Sequence, residues 1–191
     1  MDGLQEHFLN TVLPYRLYSL GCLEMALSLV REYPNGASLQ CKFNDKLKVQ
    51  GSSSIITNAN VELGIIHCRV LMEFLGVKVD KNMNLISAGK PRDSDVTIES
   101  FELPKLTLEQ VVEPCTSDKE LARKYIAKTL FAANKLIAHA TNLVKLEEDS
   151  IDGYIVTARA IPVLFKNYFY NPLKLEIPNY KVDKYEQPDE L

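Results

Sequence analysis

Between Lys124 and Asn142 a strip of polar side chains recurs at helical spacing: Lys124, Lys128, Lys135, His139 and Asn142. An imidazole titrates near neutral pH, so a His beside lysines is suited to proton transfer next to an anionic group. On a helix Lys135 and His139 are neighbours, with Asn134 about a third of a turn away. The small residues Ala132, Ala133, Ala138 and Ala140 surround them and let a second helix, or a second copy of this one, approach closely. Earlier in the chain Arg69 and Glu73 form an i, i+4 pair. Such a pair is either a surface ion pair or an arginine held by a carboxylate for an anion such as phosphate. His67 falls closer to the apolar side, beside Leu71 and Phe74, and reads as a core or boundary histidine. Asp93 and Asp95 follow Pro91-Arg92 in a polar stretch and read as a turn and a cap. The sequence offers too few further ligands at known spacing for a metal site, and no cofactor motif: no Gly-rich phosphate loop, GxSxG, HExxH or EF-hand pattern occurs.

The elements that must hold these groups are helical by pattern. Leu17, Leu20, Leu23, Leu27 and Val30 predict a helix over about 14–33, ended by Pro34-Asn35-Gly36. A second helix is expected over about 60–76, capped by Asn58 or Asn60 and closed at Gly76. Thr107-Leu-Glu-Gln110 reads as a capping box that opens a short helix. A third long helix is predicted from the Ser117-Asp-Lys-Glu120 capping box to about residue 145, a span of about 43 Å. The fourth, over 150–170, contains Pro162, which is expected to kink or split it. Residues 39–50 alternate around Asn44-Asp45 and are either a short hairpin or a loop. Residues 78–106 form a long connection, and 171–191, with three prolines, an extended C-terminal tail. Four amphipathic helices most economically make an all-α, up-and-down four-helix bundle, here a single domain over 1–191.

Composition narrows the partners. The chain has 191 residues, 46% of them hydrophobic and 25% charged, with a formal net charge of -3. That is globular composition, without the Lys/Arg excess of a broad duplex DNA-binding surface. Cys22, Cys41, Cys68 and Cys115 form no CxxC pair, and Cys22 and Cys68 fall in apolar helical patterns as reduced core thiols. With no signal-peptide pattern and no apolar run near 18 residues, the expectation is a cytoplasmic chain without a membrane span.

Three fragments in order resemble a group of uncharacterised, mostly bacterial helical-bundle proteins. They are Cys68-Arg-Val-Leu-Met-Glu-Phe-Leu75, Arg92-Asp-Ser-Asp-Val96 and Asn134-Lys-Leu-Ile-Ala-His-Ala-Thr141, and the match covers about residues 60–142. That group is similar to HEPN-like bundles, many of them dimeric ribonucleases or nucleotide-binding proteins. The resemblance implies a homodimer and puts His139 at the catalytic histidine position. The catalytic arginine position holds Asn134 or Lys135 instead, and neither presents a guanidinium fork. The leading expectation is therefore a non-catalytic bundle whose polar cluster of Arg69, Glu73, Asp93, Asp95, Asn134, Lys135 and His139 binds a protein partner or a small anion. The alternative is a metal-independent ribonuclease acting on RNA, with His139 as general acid/base and Lys135 and Arg69 stabilising the transition state.

Overall fold

The computed structural model describes residues 3–92, 94–115, 118–135 and 148–182. The chain opens on α1 (Gly3–His7), passes through a π-helical turn (Phe8–Val12) and continues without a break into α2 (Leu13–Glu32). The wide turn lies just before Pro14, which offers the helix no N–H and crowds the carbonyl four residues back. β1 (Ser38–Phe43) and β2 (Lys46–Ser52) follow, then α3 (Ser54–Phe74), β3 (Val77–Val79) and β4 (Leu85–Ser87). A 3-10 turn (Ile98–Phe101) and the short α4 (Leu108–Val111) lead to α5 (Lys119–Lys135) and α6 (Glu148–Phe165), which runs into a second π turn (Lys166–Tyr170).

This is a mixed α/β fold, which corrects the expected all-α four-helix bundle. Among the described residues, two small antiparallel sheets accompany the helices, β1 with β2 and β3 with β4. The first is the hairpin that the sequence left open, turned by Asn44 and Asp45 at positive φ of 49° and 61°. The second lies inside the stretch read as a long connection. Its strands are three residues each, too short for an alternation to register, yet Val77, Val79 and Leu85 are buried in the core.

The long helices still form the centre. α2 packs on α3 and α5 on α6, while α2 also meets α6 and α3 meets α5. Leu13, Leu17, Leu20, Leu23 and Leu27 on α2 face Val61, Ile65, Cys68 and Met72 on α3 in one buried cluster. Gly64 lies where a Cβ would overlap that of Leu23, so its missing side chain lets α2 and α3 come close. At one end, Phe74 stacks on Phe8 and Phe165 at centroid distances of 5.1 and 5.5 Å, and Phe169 stands edge-on to Phe101 at 5.0 Å.

Other boundaries moved for local reasons. α3 begins at Ser54, ahead of the expected Asn caps, because Ser53 closes the base of the hairpin: its Oγ accepts the Ala37 N–H at 3.0 Å. Gly76 does close that helix, at φ 89°. The Thr107–Gln110 capping box forms with both arms in place. α6 runs through Pro162 unbroken, since Ile161, Leu164 and Phe165 around it are fully buried and packing outweighs the lost backbone bond. Residues 175–182 return along α2, where the Tyr180 carbonyl occupies the space a Cβ at Gly21 would need. No helix among the described residues is long and apolar enough to cross a membrane.

Candidate binding site

Arg16 sits on α2 between Leu13 and Leu20, one turn either way along the buried seam, and is half-buried. His67, on the α3 face shared with Leu71 and Phe74, is only 4% exposed. Antiparallel packing of α2 and α3 brings the two together, with Arg16 Nη1 3.1 Å from His67 Nδ1. Tyr15 covers the imidazole edge-on, its ring centroid 5.3 Å away at 88°.

The protonation of this pair follows from donor chemistry. A guanidinium only donates, so His67 Nδ1 must accept and the ring proton resides on Nε2. Burial, and then the Arg16 charge, hold the imidazole well below its ordinary range, at about 4. His67 is thus neutral at physiological pH with its basic nitrogen already occupied. It offers a hydrogen bond rather than proton abstraction. Burial also draws Arg16 below its ordinary value.

Two donors remain. Among the described residues, buried Arg16 Nε and His67 Nε2 have no hydrogen-bond partner, and no carboxylate pairs with Arg16. A buried donor without an acceptor costs about 1–3 kcal/mol. Such N–H groups beside a positive charge suit oxygen acceptors that carry negative charge.

The residues singled out from the sequence are placed as follows. Arg69 and Glu73 do pair, Nε to Oε1 at 2.9 Å, each side chain 39% exposed. At that exposure the contact contributes a few tenths of a kcal/mol. Asp95 accepts the Arg92 N–H at 3.0 Å and is exposed. Asn134 is half-buried near the end of α5, and Lys135 is its last residue. Asp93 and His139 lie outside the described residues. α3 and α5 do pack against each other, but among the described residues Arg69 bonds to Glu73 and to neither Asp95 nor Asn134. Lys124 and Lys128 are exposed on α5.

No family model, curated protein or solved structure matches this chain. The site therefore rests on its own geometry.

A concave region of about 350 Å³ opens elsewhere, between α5 and α6, and its lining includes neither Arg16 nor His67. Leu121, Tyr125, Val156 and Val163 form its apolar walls. Its ionic groups are already engaged: Arg159 Nε donates to Glu24 Oε1 at 2.7 Å, and Asp118 Oδ1 accepts the Leu121 N–H at 2.9 Å as the cap of α5. Cys115 borders it with a thiol that burial pushes up. All four cysteines are free. Among the described residues no three His, Cys, Asp or Glu side chains gather as a metal set.

Sequence reading passed over Arg16. The signal was present: a charged residue three and four positions from the core leucines Leu13 and Leu20 must be either misplaced or partnered.

Proposed function

We propose that this chain is a non-catalytic binding module whose polar centre, Arg16 with His67, takes the oxygen atoms of a small anionic ligand or of an acidic group on a partner. One observation carries this reading: among the described residues, two buried N–H donors, Arg16 Nε and His67 Nε2, have no acceptor and the guanidinium has no carboxylate partner. A donor-only histidine favours binding over acid–base work. Cytoplasmic placement and a homodimeric state belong to the same proposal. The four free thiols suit a reducing compartment, and the homodimer is carried over from the sequence resemblance, since Ala132 and Ala133 lie inside the core.

Inorganic phosphate is the probe. Titrated calorimetrically into the full chain at neutral pH, it binds the native protein, and Arg16→Gln abolishes the heat. Equal binding by Arg16→Gln contradicts the assignment. The ribonuclease alternative rests on the sequence strip of Lys135 and His139, with Arg69 on the helix packed against α5. Cleavage of a mixed RNA pool that is lost in His139→Ala favours it.

A further inference from the structure

β1 and β2 form a ribbon in which every residue from Lys42 to Gln50 is exposed. Its apolar side chains are open to solvent: Phe43 is 65% exposed and Leu47 47%. Val49, opposite Cys41, is exposed as well. Among the described residues each strand has a single neighbour and so keeps an outer edge of backbone N–H and C=O groups. A two-stranded ribbon is marginal by itself, and a third strand would complete it. The same stretch carries Lys42, Lys46 and Lys48 against Asp45 alone, a local charge of +2 (three lysines less one aspartate) in a chain of net -3.

We propose that the outer edge of β2 docks an extended acidic protein segment, which adds as a third strand with carboxylates over Lys46 and Lys48 and alternate apolar side chains against Leu47 and Val49. Main-chain pairing supplies the attachment, and the lysines select sign. Charge decides the occupant. A second copy pairing through β2 would gather Lys46 and Lys48 of both chains along one seam, which opposes self-association. RNA needs aromatic rings to stack on, and this ribbon offers Phe43 with aliphatic neighbours. The ribbon follows the C-terminal end of α2, about 24 Å along the helix from Arg16, so this surface is separate from the anion site.

Fluorescence anisotropy of the full chain with a short labelled peptide of alternating Glu and Val tests the proposal. The peptide binds, more weakly as salt rises, and amide exchange slows in residues 46–52 on binding. Lys46→Glu with Lys48→Glu weakens it by about tenfold or more. Leu47→Ser, which leaves the charges in place, also weakens it. Equal affinity for a Lys-Val peptide, indifference to the Lys46→Glu/Lys48→Glu change, or tighter binding of a single-stranded RNA oligonucleotide would overturn it. Dimerisation through the ribbon without peptide would do the same.

Discussion

Arg16 donates to His67 Nδ1 across 3.1 Å, so this imidazole, buried in the helical core, is fixed as a neutral ring with its proton turned away from the guanidinium. The two helices carrying them, α2 and α3, pack closely on one another. A cation and an imidazole held there by core packing form a polar centre that the fold stabilises at some cost.

That cost depends on pH. His67 takes up a proton near its ordinary value of 6.5 when unfolded but only at about 4 when folded. Between these values the unfolded state binds more protons, so stability is highest above pH 6.5 and falls as pH drops towards 4. The loss is on the order of 2 kcal/mol after allowance for solvent reaching Arg16. Urea unfolding across this range should show the slope, and His67→Gln should flatten it. An unchanged slope in His67→Gln would assign it to other groups.

Gly64→Ala should destabilise the fold by about 2–3 kcal/mol, because its new Cβ overlaps that of Leu23 where α2 and α3 meet. Adding Leu23→Ala should bring no recovery, since alanine keeps the offending Cβ. Restored stability in the double variant, measured by urea unfolding, would show that the longer Leu23 side chain is the obstacle instead.

Thr129 and Thr157 join α5 to α6 through a fully buried hydroxyl pair, 2.9 Å apart. Each hydroxyl also reaches a backbone carbonyl, Thr129 that of Tyr125 at 2.9 Å and Thr157 that of Gly153 at 2.7 Å, so one of the two directs its single proton to its partner instead. Each Thr→Val change should cost about 1–2 kcal/mol, and the double change should cost less than the two together. Strict additivity in a double-mutant cycle would mean the hydroxyls do not interact.

Gly21→Ala should release the returning tail, because the Tyr180 carbonyl fills the only room for a Cβ. Hydrogen exchange is expected to quicken across residues 175–182 while α3 and α5 stay protected. Unchanged exchange in the tail would show that it shifts to accept the methyl group.

The helical part of this fold was legible because its signal is long. The leucine run on α2 and the stripe from Val61 to Met72 span several turns each, so packing and pattern agree. The β3–β4 pair was not legible, since three-residue strands carry no period and are fixed by the core they cover. Pro162 misled for the opposite reason: local chemistry predicts a break, and buried neighbours prevent it. At the site, sequence alone separated Arg69 with Glu73 as a pair but gave no reason to join Arg16 to His67. That contact spans 51 positions and exists only through helix packing.

The most direct test is a nitrogen-resolved NMR titration of the His67 ring. The proposed binding centre requires a neutral, Nε2-protonated imidazole down to about pH 4, with resonances that move when inorganic phosphate is added at neutral pH. A ring that gains its proton near 6.5 and ignores phosphate would contradict it.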